Sequence, residues 1–108
     1  MIAVRIPPIP RFMRGETVEL RSQSEGGGFD EPVRIPRCRV ERGASLSPND
    51  YQLTPGCSAR VIVDATEYGG ELLEGDLVGF DGEWHAVASV SRIDQPGGRP
   101  HHWEADVR

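Results

Sequence analysis

No lysine occurs among the 108 residues, so all twelve basic side chains are arginine. Acids outnumber them by 17 to 12, a formal net charge of −5. That balance lacks the basic footprint that grips a phosphate backbone, which excludes tight, sequence-reading nucleic-acid binding. Cys38 and Cys57 stand in no metal-ligand spacing and are too few for a disulfide framework, so both are expected as reduced thiols. No apolar run approaches bilayer-spanning length, and Met1-Ile2-Ala3-Val4-Arg5-Ile6-Pro7-Pro8 contains no apolar core of an export signal. The expectation is synthesis in the cytoplasm and no membrane partner.

Chemistry-bearing patterns are equally scarce. There is no nucleophile elbow, no cysteine with a suitable histidine partner and no phosphate-cradling glycine loop. Gly26-Gly27-Gly28 is followed by no helix start and reads as a flexible loop. Asp64 and Glu67 fall at a strand end, where a solvated loop is the expected setting. The histidines are His85, His101 and His102. Neighbours in a strand point to opposite faces, so at most one of His101 and His102 can join His85, and no metal site is expected. Neither enzyme activity nor a cofactor is expected.

What the chain does have is punctuation. Its 13 glycines and 9 prolines amount to about a fifth of the residues against a usual share of about 12%. Such a chain favours short strands and turns over a helical bundle. Size scaling gives one domain with a folded surface of roughly 6,000 Å², enough for a core but with little room for an enclosed cavity. Alternation of apolar and polar residues predicts strands over 16–22, 33–41, 59–65, 77–80, 83–90 and 101–107. Pro36 and the shift of apolar phase from Val33 and Ile35 to Cys38 and Val40 predict a bulge or an edge position. Asp81-Gly82 between two apolar runs predicts a type I′ hairpin. A helical turn is expected at Glu71-Leu72-Leu73, and Trp84 and Trp103 are both expected in the core, with interface anchoring as the alternative.

The architecture expected is all-β, a small barrel or sandwich of about six strands with long loops. An extended arm covers residues 1–15 and a single domain covers 16–108. Segments 1–15, 22–32 and 43–58 bury little apolar surface and are expected to be loosely held. The charge is split: residues 1–42 carry eight arginines and six acids, residues 43–108 four arginines and eleven acids. Arginine forms bidentate, stackable interface contacts. Arg34, Arg37 and Arg39 on one strand, and the pair His102 and Glu104 on another, are therefore candidate interface residues.

The order of these features resembles a family of tailed-bacteriophage minor capsid proteins, the head completion or stopper proteins of the head–tail connector. The likeness runs through Ile6-Pro7-Pro8-Ile9-Pro10, Glu16-Thr17-Val18-Glu19-Leu20 and Cys38-Arg39-Val40-Glu41. It continues in Glu74-Gly75-Asp76-Leu77-Val78-Gly79-Phe80-Asp81-Gly82-Glu83-Trp84-His85-Ala86-Val87 and His101-His102-Trp103-Glu104-Ala105. Two departures are the unmatched stretch from Gly43 to Gly56 and the missing lysines.

The resemblance implies a structural protein with no chemistry, made in the host bacterial cytoplasm and incorporated into the virion neck. It would form a homo-oligomeric ring matching the portal's symmetry, beneath the portal and adaptor rings. There it would retain packaged DNA, let it pass without sequence-specific binding, and dock the tail. A tail completion or terminator protein and a stand-alone, non-phage β-barrel interaction module are the alternatives. The polar loop carrying Ser45, Leu46, Ser47, Asn49, Asp50, Tyr51 and Gln52 is the candidate channel-facing or plug segment.

Overall fold

The computed structural model describes residues 7–8, 14–43 and 53–108. Its strands are β1 (Glu16–Arg21), β2 (Val33–Arg42), β3 (Ala59–Asp64), β4 (Leu77–Phe80), β5 (Glu83–Asp94) and β6 (Pro100–Val107). They close into an antiparallel barrel in the order β1-β2-β3-β6-β5-β4. The all-β expectation therefore resolves to a barrel. Phe80 pairs with Glu83, and Asp81 (φ 53) and Gly82 (φ 76) both occupy the left-handed region that a type I′ turn demands. The described residues hold no helix, so none long and apolar enough to cross a membrane is present among them.

Closure depends on two long strands that change partners. The first part of β2 pairs with β1, and Arg39 to Arg42 pair with β3. The first residues of β5 pair with β4, and Val87 to Asp94 pair with β6. An extra residue marks each corner. Between the pairs Glu16–Cys38 and Val18–Ile35, β2 advances one residue more than β1, and Arg37 sits at φ 53. Ala88 is the extra residue of β5, and His101 is the extra residue of β6. Bulges of this kind bend a strand and re-aim its side chains. The one at Pro36-Arg37 resets the apolar phase, so that Ile35, Cys38 and Val40 all point inward.

Val18, Leu20, Ile35, Val61, Val63, Val78, Ala105 and Val107 fill the barrel, each at most 2% exposed. Trp103 lies at one end, where Tyr68 meets it edge-on at 6.1 Å and Leu72 is buried. At the other end Phe80 stacks on His85 at 4.1 Å, and Arg42 lies over Phe80 while pairing with Glu16 and Asp81. No helical turn forms at 71–73. Instead the Leu73 N–H donates to the Asp76 carboxylate, drawing the segment over the core. Burial pushes the Cys38 thiol up to about 12, with the Glu67 charge adding to it, and both cysteines are free.

Several polar segments are held more firmly than their composition implies. Asp64 is buried, not solvated, and accepts from the Thr66 N–H and hydroxyl. Glu67 is no solvated loop acid either: its side chain is nearly buried and takes two bonds from Arg37, at 2.8 and 2.7 Å, and one from Arg14. The glycine-rich loop is a miniature hairpin, with Gln23 bridged to Phe29 and Asp30 N–H donating to Ser22 O. Thr54 is fixed by its N–H and hydroxyl donating to Asp106, and Ser58 N–H donates to Val107 O. In each case a carboxylate or carbonyl supplies the hold, where the sequence pattern weighs only apolar burial.

Asp76, 1% exposed, illustrates the cost of removing such an anchor, because the Gln23 and Leu73 N–H groups both donate to it. Asp76→Ala should lower unfolding free energy by about 3 kcal/mol, since an abandoned buried donor costs roughly 1–3 kcal/mol. Asp76→Asn keeps one acceptor oxygen and should lose about half as much in urea denaturation.

Burial alone would raise the Asp106 carboxyl, but the Arg60 guanidinium and both Thr54 donors outweigh it and hold it below the usual range. Hydrogen bonds from Arg37 likewise lower Glu67, despite burial. Groups lowered in this way stabilise the fold above their unfolded values of about 3.9 and 4.3, and that contribution disappears as pH falls through the folded values. Stability measured against pH should drop below about pH 4, and Asp106→Asn should flatten that acid limb.

Candidate interaction surface

The pairing of four strands sets one outward row, because Arg34 faces Glu19, Glu19 faces Gly79 and Gly79 faces Trp84. Gly79 is what lets the row lie flat. A Cβ there would sit 2.9 Å from the Trp84 ring, so the indole lies across β4 where any side chain would lift it. Trp84 is consequently 45% exposed, and its expected place in the core is overturned: the two-residue turn puts it on the strand face opposite Val87. Trp103 does occupy the core.

Arg21 completes the surface. Its guanidinium carbon lies 6.0 Å from the Trp84 ring centroid and 5.9 Å from that of Phe29. The guanidinium is oriented by donating to Asp30 O at 2.9 Å and Phe29 O at 3.3 Å, both in the miniature hairpin. Beside it, Thr17, Glu19, Arg34, Gly79, Glu83 and Trp84 border an open cleft of about 430 Å³. Tryptophan and arginine held in place by their neighbours lose little entropy on association, and both types dominate interface energetics. The surface is suited to stacking and to desolvated, bidentate contacts.

The sequence-predicted interface residues are distributed unevenly. Arg34 is exposed and joins the Trp84 surface. Arg37 is committed to Glu67, and Arg39 pairs with Glu41 on its own strand at 3.0 Å. His102 and Glu104 lie on the outer side of β6, three strands from β1 around the barrel, so they are not brought to Arg34. Glu104 borders a polar cleft with Arg60, Ser89 and Ser91. Ser45, Leu46, Ser47, Asn49, Asp50, Tyr51 and Gln52 lie outside the described residues. Among the described residues, no group of three or more His, Cys, Asp or Glu is placed to hold a metal ion. The sequence pattern does not single out Arg21 and Phe29 as surface partners, and for Trp84 interface anchoring is the second alternative to the core. The Asp81-Gly82 register, which sets Trp84 opposite Gly79, is the signal that favours it.

No protein-family model, curated protein or solved structure matches this chain.

Trp84→Ala should cost about 1 kcal/mol or less in chemical denaturation, since the ring already meets water. Trp103→Ala should cost about 3–5 kcal/mol, the usual range for emptying a buried aromatic site. Comparable losses for the two variants would contradict the placement of Trp84.

Proposed function

We propose that this chain is a ring-forming structural subunit of a phage head–tail connector, a stopper that retains packaged DNA and docks the tail. The observation that carries the reading is the Trp84–Arg21–Phe29 surface on a closed barrel. Because every described strand already has a neighbour on each side, side-chain faces are the surfaces through which copies would associate. A ring of identical copies needs two different patches that fit head to tail. The Trp84 surface is one, and the outer side of β6 with His102 and Glu104 is the other. Segments that carry the family resemblance supply both: Glu74 to Val87 forms the Asp76 anchor and the hairpin bearing Trp84, and His101 to Ala105 lies within β6.

The long loop fits the same reading. Gly43 and Leu53 flank it at the barrel end that holds the Asp81-Gly82 turn, where Arg42 pairs with Asp81 and Gly43 N–H donates to Ser58 O. In the ring, Ser45 to Gln52 would face the channel, where polar groups can bond to neighbouring copies without adhering to DNA. The subunit acts by geometry, and no chemical step is assigned to it.

Purified protein added to DNA-filled heads bearing portal and adaptor should form a ring visible by particle reconstruction. Trp84→Ala should weaken that addition by about 2 kcal/mol, roughly 30-fold. Deleting residues 46–51 should leave the ring intact and let DNA leak. Addition to isolated tails instead would favour a terminator, and addition to neither would leave a stand-alone module.

A further inference from the structure

His101 and His102 meet at the barrel end where Pro7 and Pro8 lie. The bulge at His101 explains why adjacent strand residues do not point to opposite faces: β6 has one residue more than β5 at this step, and the two rings turn toward each other. Their Nδ1 atoms are 2.8 Å apart, with ring planes at 77°. His101 Nε2 lies 2.6 Å from the Pro7 carbonyl oxygen, and Pro8 borders a cleft of about 250 Å³ together with Asp64, Ala65, Gln95, Arg99 and His101.

A carbonyl only accepts, so His101 Nε2 carries a proton. Only one proton can lie between the two Nδ1 atoms. We propose that this pair is a proton-controlled clasp, which holds the Pro7–Pro8 segment while it bears at most one positive charge and releases it when both rings are charged.

The proton count fixes the behaviour. In the neutral pair, His102 donates from Nδ1 to the bare Nδ1 of His101, and His101 donates from Nε2 to Pro7 O. A first added proton goes to His102 Nε2 and leaves both bonds intact. A second must go to His101 Nδ1, where it confronts the His102 Nδ1–H. The shared bond is then lost between two adjacent cations, and in the clasp His101 relieves this by turning away, which takes Nε2 from Pro7.

The surrounding charges are Asp64 on β3, Glu104 on β6 and Arg99 in the turn before β6. Glu104 favours the first proton, and Arg99 borders the same cleft as His101. Burial lowers the His102 pKa, Glu104 pulls it upward, His101 lowers it further, and Asp64 raises it. The net lowering means that the neutral His102 ring is preferred in the fold, so above the ordinary value of about 6.5 the uncharged pair, with both bonds in place, is the resting state. Ala65 N–H donates to His101 O at 2.9 Å, which holds the backbone while the ring turns. This inference does not depend on ring assembly.

NMR of the full chain tests it, using imidazole nitrogen shifts for protonation and ring-to-proline contacts for docking. At pH 7.5 His101 should be the Nε2–H tautomer in contact with Pro7, and the contacts should vanish as the second ring becomes charged. In His102→Asn the amide can donate or accept as needed, so the contacts should survive to about tenfold higher proton concentration. Trp103 fluorescence should stay constant throughout. Contacts that persist with both rings charged, an Nδ1–H tautomer of His101 at pH 7.5, or an unchanged midpoint in His102→Asn would overturn the clasp. Loss of Trp103 burial at the same midpoint would also overturn it, by making release a consequence of unfolding.

Discussion

A six-stranded sheet can close on itself only if its strands turn corners, and here that requirement falls on β2 and β5. Each serves two neighbours in succession, and each changes partner beside a residue that the facing strand does not match. Without the bulge at Pro36-Arg37, the inward phase of Ile35 would continue onto Arg37 and Arg39 and put guanidinium groups into the core. The extra residue moves Cys38 and Val40 inward instead. The corner is itself fastened, because Arg37, in its left-handed conformation, donates twice to Glu67 on the segment that covers the barrel end. Closure, core composition and the placement of that covering loop thus depend on one irregularity.

The loops follow a second rule. Asp64, Asp76 and Asp106 are each nearly buried, and each accepts from backbone N–H groups of a connecting segment. A carboxylate can take several such bonds, so one short side chain ties a stretch of otherwise unsatisfied backbone to the barrel. Arginine alone as the cation suits this design. Arg42 reaches Glu16 and Asp81 together, a forked geometry that an ammonium would not reproduce.

Strand positions, the hairpin and the bulge were legible because they rest on local alternation and turn chemistry. The identity of Trp103 as core was legible for the same reason. Buried carboxylates were not: a periodic pattern registers Asp64 as a charge near a turn and cannot register that Thr66 encloses it. Trp84 was misread because aromatic content was weighed without its phase, although the turn register already opposed it to Gly79. The meeting of His101 and His102 needed the register slip against β5, which depends on residues distant in sequence. The pairing of Arg37 with Glu67 was hidden similarly, since its acid partner is thirty residues away.

The hydrogen bond from Gly43 N–H to Ser58 O, at 2.7 Å, closes the base of the longest connection, and Ser58 is tied in turn to Val107. The barrel therefore sees the same two endpoints however many residues run between them. Loop-closure entropy rises only logarithmically with length, about 0.6 kcal/mol for each doubling. The connection is thus a place where insertions and grafted epitopes can be carried at little thermodynamic cost, and where evolution could vary length while every core residue stays the same.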